Sequence, residues 1–210
     1  DAEAAIRLGL DYDVIAVCVR PADIELALKV CRGTRTRVGT VLSFPHGVGH
    51  PRGKAREAET YIDLGVSEID MVANYSLIRS GLWDEVRIDL DAVSRVTRLR
   101  GVVLKVILET SLLGTGQIRR ATEVAAEVGA DFVKTSTGFA EGGATEEAVR
   151  VMVEAAAGRI QVKASGGIRD RRQAERFVEM GCTRIGVGYS STPVICGVSP
   201  SASAGPGADD

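Results

Sequence analysis

Short apolar runs alternate with helical patterns along most of the chain, and this alternation constrains the fold more than any other feature. Each run is continuously apolar, which is typical of a strand buried on both faces of a parallel sheet. A strand and a helix recur roughly every thirty residues, as in right-handed βαβ units. Seven runs are predicted to be strands: Val14–Val19, Val38–Phe44, Glu68–Ala73, Val102–Leu108, Phe132–Thr135, Ile160–Lys163 and Arg184–Val187.

Helical patterns rich in Ala, Glu and Arg follow these runs, and several carry end signals. Thr145 precedes two glutamates as an N-cap would, and Gly65, Gly129 and Gly181 stand where helices should end. The first helical pattern, Ala2–Leu8, has no strand before it. Further helices are predicted at Ala22–Cys31, Lys54–Leu64, Leu82–Leu99, Gly116–Val128, Thr145–Ala156 and Arg171–Met180.

The pattern predicts an α/β fold, a TIM (β/α)8 barrel that lacks the first strand in this chain. Such barrels are typically about 250 residues long, whereas this chain has 210 residues. We expect residues 1–198 to form a single barrel domain. Residues 199–210 are mostly Ser, Ala, Gly, Pro and Asp, which bury too little apolar surface to fold, so we expect a disordered tail there.

Composition and charge exclude several classes of partner. The formal net charge is −2, and no stretch collects Lys and Arg without nearby acids, so we expect no nucleic-acid partner. No apolar run reaches membrane-spanning length, and the acidic start has no signal-peptide pattern, so we expect no membrane partner and a cytoplasmic location. The cysteines form no C-x-x-C pair and are expected to be buried or half-buried thiols: Cys18, Cys31, Cys182 and Cys196.

Two lysines, Lys134 and Lys163, lie on apolar strand patterns that lead into Ser/Thr/Gly loops. A buried ammonium loses its hydration and must find a partner or lose its proton. Each cation lowers the pKa of the other, and a neutral amine can attack a carbonyl carbon to form a Schiff base. Taken singly, Lys134 could instead be a structural lysine paired with Asp70 or Glu109, and Lys163 could simply bind phosphate.

The ordered motifs resemble deoxyribose-phosphate aldolase, a family of class I aldolases with a TIM barrel. The resemblance covers the chain from about residue 14 to about residue 190, and the order of the motifs makes it specific. The segments that carry it are Ala16–Val19, Val38–Pro45, Glu68–Val72, Leu104–Thr110, Phe132–Phe139, Gly142–Thr145 and Val162–Arg169.

The resemblance implies cleavage of 2-deoxy-D-ribose 5-phosphate to D-glyceraldehyde 3-phosphate and acetaldehyde, and the reverse addition, in deoxyribonucleotide catabolism. By motif match, Lys134 is the Schiff-base lysine, Lys163 keeps Lys134 neutral enough to attack, and Asp70 relays protons. The implied partners are a small sugar phosphate, acetaldehyde and a second copy in a homodimer. No cofactor and no metal ion are implied.

Loops rich in Gly, Ser and Thr are the predicted phosphate site, because such loops offer backbone N–H groups to an anion. Phosphate sites after the last two strands are a recurring feature of barrels, and the resemblance indicates the same loops. The predicted substrate- and phosphate-binding residues are Thr137, Gly138, Gly166, Gly167, Gly186, Gly188 and Ser190.

The sequence also departs from the family pattern. The family's opening strand is missing, and Val187 and Tyr189 replace small hydroxyl residues at the end of the last strand. These departures leave two alternatives open. One is a Schiff-base aldolase with a different or unphosphorylated acceptor, and the other is a catalytically inactive barrel that binds a sugar phosphate.

Two further pairs have structural interpretations. Lys105 and Glu109 lie on one predicted strand and share a face, so we expect an ion pair inside the barrel, with a role in the site as the second choice. His46 and His50 are four residues apart, but the glycines and prolines around them favour a rim loop over a helix with two metal ligands.

Overall fold

A single curved sheet of parallel strands organises the chain in the computed structural model, which describes residues 2–197. The strands follow one another around the sheet in chain order, and each adjacent pair is parallel. They are β1 (Ala16–Val19), β2 (Arg37–Leu42), β3 (Glu68–Val72), β4 (Val103–Ile107), β5 (Phe132–Lys134), β6 (Gln161–Ser165) and β7 (Arg184–Gly186).

Helices connect the strands, so the architecture is the predicted α/β barrel in the form of a curled half-barrel. Within the described residues the α-helices are α1 (Ala2–Asp11), α2 (Ile24–Val30), α3 (Pro51–Leu64), α4 (Tyr75–Arg79), α5 (Trp83–Arg100), α6 (Thr115–Glu127), α7 (Glu146–Ala156), α8 (Arg171–Glu179) and α9 (Thr192–Cys196). None of them has both the length and the hydropathy needed to cross a membrane.

The two faces of the sheet have different chemistry because successive strand residues point in opposite directions. On the outer face, Ile69, Leu104 and Val133 pack with apolar helix residues in the main core. Burying each such side chain contributes about 1.5–3 kcal/mol relative to leaving it exposed. The inner face carries charged residues on the middle strands, among them Asp70 and Lys105. The helices therefore hold the sheet, and the interior is left for polar chemistry.

The predicted helix ends are confirmed where signals were strong. Thr145 caps α7, since its hydroxyl oxygen accepts a hydrogen bond from the amide of Ala148 at 3.2 Å. Gly65 ends α3 with a φ of 112°, a left-handed conformation that glycine adopts without steric cost. The short helices α4 and α9 were not predicted, because five residues show little more than one turn of periodicity.

All seven strands lie within two residues of their predicted bounds. In the described part of the chain no strand precedes β1, and β1 and β7 are the two edges of the sheet. The predicted disordered tail at 199–210 lies outside the described residues, so its state stays a prediction.

Candidate active site

The inner face of the sheet places the two predicted lysines side by side. Lys134 on β5 and Lys163 on β6 are direct partners in the parallel register. Asp70 on β3 has the same relation to Lys105 on β4. The curvature of the sheet directs all four side chains to one region of the interior, and none of these residues is more than 7% exposed. We call Asp70, Lys105, Lys134 and Lys163 the amine cluster.

Asp70 lies at the centre of the amine cluster. Its Oδ2 accepts hydrogen bonds from Lys134 Nζ at 2.8 Å and from Lys163 Nζ at 3.0 Å. Its Oδ1 accepts from Lys105 Nζ at 2.7 Å. One carboxylate thus accepts hydrogen bonds from three lysine amines. The predicted convergence of Lys134, Lys163 and Asp70 is present in the structure, and their catalytic roles remain predictions.

The surroundings of the amine cluster lower the pKa of both Asp70 and Lys163, for different reasons. Burial opposes ionisation of Asp70, but Lys134, Lys163 and Lys105 together hold the pKa of its carboxyl well below the usual range. Burial and the charge of Lys134 lower the pKa of Lys163, although Asp70 partly offsets them. These surroundings favour the carboxylate form of Asp70, and Lys163 gives up its proton more readily than an ordinary lysine.

A second carboxylate fixes Lys105 on the other side. Glu68 Oε2 lies 2.6 Å from Lys105 Nζ and accepts a hydrogen bond from Arg184 at 3.3 Å. Burial would lower the pKa of Lys105, but Asp70 and Glu68 raise it above its ordinary value. Lys105 is thus a protonated group held between two acids, whereas Lys134 and Lys163 share one oxygen. This difference distinguishes Lys105 from the two lysines for which a catalytic role is predicted.

The predicted ion pair between Lys105 and Glu109 is wrong. The strand ends at Ile107, and Glu109 has a φ of 55°, so the alternation of faces does not continue to it. The Glu109 side chain instead accepts hydrogen bonds from the amide of Thr137, at 3.2 Å, and from the Thr137 hydroxyl. Glu109 is only 2% exposed. It therefore holds the start of the loop that follows Lys134, and the amide of Thr137 is already in use.

Three glycines of the predicted phosphate loops, Gly138, Gly166 and Gly167, follow β5 and β6. Gly138 and Gly166 are neighbours, since a Cβ on Gly166 would lie 3.6 Å from the Gly138 Cα. Gly166 and Gly167 have φ values of 87° and 74°, and within residues 2–197 their amides donate to no acceptor. Two adjacent glycines with positive φ thus present free N–H groups at the end of β6, as an anion site requires.

The residues at the end of β7 and just after it differ in their contacts and in their exposure to solvent. A Cβ on Gly186 would lie 2.8 Å from Lys163 Cε, so glycine makes room for that lysine. Gly188 and Ser190 are exposed further out. Val187 packs against the main core, while Tyr189 is 65% exposed. Of the two departures from the family pattern, only Tyr189 has a side chain that is free in solvent.

The cysteines match their prediction only in part. Cys31 and Cys182 are buried, but Cys18 and Cys196 are exposed, so the expectation of buried or half-buried thiols is wrong for these two. Cys18 lies on β1, which is an edge of the described sheet, and the neighbouring Val17 is the residue that packs in the core. An edge strand has no neighbour on one side to cover it, which accounts for the exposure of Cys18.

His46 and His50 are exposed in the loop between β2 and α3, as predicted, and they make separate contacts. His50 caps α3, with its Nδ1 accepting from the amide of Arg52 at 3.2 Å. His46 is in the loop after β2, and its Nδ1 lies 3.1 Å from the hydroxyl of Tyr75 at the start of α4. Their spacing in sequence thus has no helical meaning.

A buried ion pair behind the site was not predicted. Lys54 Nζ donates to Asp89 Oδ2 at 2.8 Å and to the carbonyl of Val72 at 3.0 Å, and the amide of Asn74 donates to the same Asp89 oxygen at 3.0 Å. The pair fixes both sides of the end of β3, the strand that carries Asp70. Lys54 shares the buried stripe of α3 with Ala58 and Ile62, and this spacing was the available signal.

Lysine use along the chain supports a special role for these amines. Only five of the 26 basic residues are lysines, and four of the five are buried. Lys29 on α2 is the exposed one. Arginine thus carries almost all the positive charge of the surface, and four of the five lysines lie in the interior.

Comparison with known proteins shows the family. The sequence profile of the DeoC/LacD family aldolases matches residues 3–192. Deoxyribose-phosphate aldolase 1 of Staphylococcus aureus (strain MSSA476) is 43% identical over 175 residues, which are 83% of this chain and 79% of that protein. One similar solved structure is an aldolase called QR15, with a TM-score of 0.85 and 39% identity; the match covers 93% of this chain and 86% of that chain. Another is a deoxyribose phosphate aldolase from Aeropyrum pernix, described as tetrameric, with a TM-score of 0.72 and 25% identity; the match covers 93% of this chain and 97% of that chain.

Proposed function

The chain belongs to the DeoC/LacD family of aldolases, and we propose that it cleaves 2-deoxy-D-ribose 5-phosphate reversibly to D-glyceraldehyde 3-phosphate and acetaldehyde through a Schiff base on Lys134. The observation that carries this proposal is the sharing of one Asp70 oxygen by two buried amines, at 2.8 and 3.0 Å. Burial and the charge of Lys134 lower the pKa of Lys163, so an amine that can act as a base lies beside Lys134 and can take the proton that Lys134 must lose before it attacks.

Besides the nucleophilic amine of Lys134, the proposed reaction requires groups that donate and accept protons at the substrate. The neutral Lys134 amine adds to C1 of the open-chain sugar, and loss of water from the carbinolamine gives an iminium ion. The C3 hydroxyl then loses its proton to a base and becomes the aldehyde as the C2–C3 bond breaks. The electron pair of that bond forms the C1=C2 double bond, and the iminium π pair moves to the nitrogen of Lys134. This step forms an enamine and releases D-glyceraldehyde 3-phosphate. Protonation at C2 and hydrolysis release acetaldehyde and restore the amine.

The family resemblance implies that Asp70 relays protons, but we propose that Lys163 exchanges them with the substrate and that Asp70 holds the amines. Because the pKa of Asp70 is held well below its usual range, the carboxylate orients the amines and stabilises the iminium charge. Because the pKa of Lys163 is lowered, its amine can both donate and accept a proton closer to neutral pH. We propose that protons pass between Lys163 and the substrate, with Asp70 keeping Lys163 in reach of Lys134.

The phosphate is proposed to bind at the ends of β6 and β7. The free amides of Gly166 and Gly167, together with the open backbone at Gly188 and the exposed Ser190 hydroxyl, offer donors without side chains in the way. Gly138 lies beside Gly166, whereas Thr137 serves Glu109. The phosphate would therefore sit on the side of the mouth opposite to β3 and β4.

An unphosphorylated acceptor is the second candidate, because Tyr189 places an exposed aromatic ring at the β7 end of the phosphate site. The inactive barrel is the weakest alternative. Four buried charged groups in one cluster impose a desolvation cost of several kcal/mol per ion, which a scaffold has no reason to bear.

An aldehyde-release assay with 2-deoxy-D-ribose 5-phosphate and with 2-deoxy-D-ribose tests the proposal. We expect cleavage of the phosphorylated sugar, with kcat/KM at least 100-fold above that of the free sugar, and loss of activity in Lys134→Met but not in Lys29→Met. Equal kcat/KM values would favour the unphosphorylated acceptor. Release from neither sugar by a folded protein would refute the proposed function.

Assembly and location are proposed from the family alone. We expect a cytoplasmic homodimer, while the Aeropyrum pernix relative is described as a tetramer. Sedimentation equilibrium of the full chain separates the two states.

A further inference from the structure

Arg184 is a basic residue on the inner face of the sheet that no part of the proposed reaction uses. It lies on β7 directly opposite Lys163 in the parallel register, just as Lys163 lies opposite Lys134 on β5. Three basic residues thus form one row across three adjacent strands. Like charges repel each other, so the row requires contacts that keep the guanidinium of Arg184 away from the two amines.

Two contacts hold the Arg184 side chain, which is 15% exposed. Its guanidinium lies 5.3 Å from the centre of the Phe132 ring and donates a hydrogen bond to Glu68 Oε2 at 3.3 Å. Phe132 precedes Lys134 by two residues on β5, and Glu68 stands in the same relation to Asp70 on β3. Both contacts therefore place the guanidinium one layer below the amine cluster, toward the starts of the strands.

Glu68 is a buried carboxylate that three basic residues approach. Its Oε2 lies 2.6 Å from Lys105 Nζ and 3.3 Å from Arg184, and its Oε1 lies 3.6 Å from the half-exposed Arg37 on β2. Glu68 itself is only 1% exposed. A Cβ on Gly39 would lie 3.2 Å from the Glu68 Cβ, so glycine on β2 makes room for this side chain. The fold thus provides a place for a second negative charge directly below the amine cluster.

The two interior carboxylates divide the basic groups between them. Asp70 Oδ2 accepts from the pair of amines proposed to react, whereas Lys105 reaches from Asp70 Oδ1 to Glu68. Titratable groups on four other strands act on Lys163, namely Lys134 on β5, Asp70 on β3, Lys105 on β4 and Cys18 on β1. The Cys18 thiol is uncharged near neutral pH, so the carboxylates and the basic groups decide the charge balance around the pair.

We propose that Glu68 is a positioning residue of the site, which acts through Lys105 and Arg184. It holds Lys105 on Asp70 Oδ1 and Arg184 below the cluster, so that Asp70 Oδ2 is left to the two amines. This inference rests on the proposed Schiff-base function. Because Glu68 offsets positive charge close to the amines, removing its charge should let the pair lose a proton at lower pH, and removing the charge of Arg184 should have the opposite effect.

The pH dependence of kcat/KM for aldehyde release from 2-deoxy-D-ribose 5-phosphate tests this inference. The profile reports ionisations of the free enzyme, and its rising limb follows the loss of a proton from the amine pair. We expect the midpoint of that limb to move down by about 0.5–1 pH unit in Glu68→Gln and up by about as much in Arg184→Met. The double variant should return close to the wild-type midpoint.

The variants are chosen to change charge rather than shape. Glutamine at position 68 keeps an oxygen that can accept from Lys105, and methionine at position 184 can still pack on the Phe132 ring. Asp131→Asn is the matched control, because it removes an exposed carboxylate at the start of β5 that accepts from the amide of Leu104 at 2.8 Å. This control should leave the midpoint where wild type has it.

The outcomes separate the inference from the function on which it rests. If wild type cleaves the sugar but both charge variants keep its midpoint, or shift it in the same direction, Glu68 does not act on the amine pair. A shift in Asp131→Asn as large as that in Glu68→Gln would also overturn the inference. If wild type cleaves no sugar at any pH, the proposed function itself fails. Arg184 is partly exposed, so Arg184→Met still tests the sign of the shift if Glu68→Gln does not fold.

Discussion

Replacing Gly186 with alanine should damage both stability and catalysis through one contact. The new Cβ would lie 2.8 Å from Lys163 Cε and 2.9 Å from Ser165 Cβ. Carbon atoms in contact are normally about 3.5–4.0 Å apart, so the overlap is roughly 0.7 Å or more. Ser165 belongs to β6 and cannot yield, so the side chain of Lys163 must move away from Asp70.

The size of both effects follows from this overlap. Forcing an extra methyl group into a packed interior costs about 1–3 kcal/mol of unfolding free energy, or roughly 2–4 °C in Tm for each kcal/mol in a chain of this length. A displacement of about 1 Å at a reacting group can cost up to a hundredfold in rate. We therefore expect kcat for aldehyde release to fall about 10–100-fold.

Gly116→Ala is the control for this experiment. Gly116 is exposed near the start of α6, outside the proposed site, and its new methyl group would have no neighbouring atom within 4 Å. Thermal unfolding and steady-state kinetics of both variants decide the matter. If Gly186→Ala loses no more stability and no more activity than Gly116→Ala, the packing of Lys163 against Gly186 does not govern the site.

Two further predictions concern buried lysines. The folded state lowers the pKa of Lys163, whereas in the unfolded chain this pKa has its ordinary value of 10.5. At a pH between these two values the unfolded chain binds more protons than the folded one. The free energy of unfolding should therefore rise with pH in that alkaline window. Denaturant titrations across the window should show a smaller rise for Lys163→Met, and an equal rise would contradict the assignment. Lys54→Met leaves Asp89 charged and buried, so we expect a loss of about 3–5 kcal/mol in chemical denaturation, against almost none for the exposed Arg52→Met on the same helix. A loss below about 1 kcal/mol would show that Asp89 becomes neutral without its partner.

The sheet could be predicted from the sequence because its strands are continuous apolar runs. Glu68–Val72 is buried at every position, which is what an uninterrupted run predicts for a strand covered on both faces. The same regularity brought together two of the four members of the amine cluster. Lys134 and Lys163 come at or near the ends of such runs, and parallel strands bring equivalent positions together.

The contacts beyond the strand ends could not be predicted in this way. Glu109 lies two residues past Ile107 in a left-handed conformation, so the rule of alternating faces gave it the wrong partner. Lys54 and Asp89 lie on different helices, and each is a polar interruption of an apolar stripe. Only the packing of α3 on α5 shows that the two interruptions satisfy each other.

The edge-to-face contact between the rings of Phe44 and Phe139, with centroids 5.1 Å apart, illustrates a third limit of sequence analysis. Phe139 lies in a segment that matches the family motif, which directed attention to Lys134 rather than to the ring five residues later. Its partner Phe44 is on a loop nearly a hundred residues away in sequence, and the contact depends on the curvature of the whole sheet. No local pattern carries that information.

The most direct test of the central claim is borohydride reduction of the full chain in the presence and absence of acetaldehyde, read by intact and peptide mass spectrometry. The chain has few lysines, and Lys29 is the exposed one, so it serves as an internal control for unspecific modification. We predict a single stable two-carbon adduct on the peptide that contains Lys134, absent in Lys134→Met and absent without aldehyde. An adduct only on Lys29, or none in a demonstrably folded sample, would contradict the assignment of Lys134 as the Schiff-base lysine.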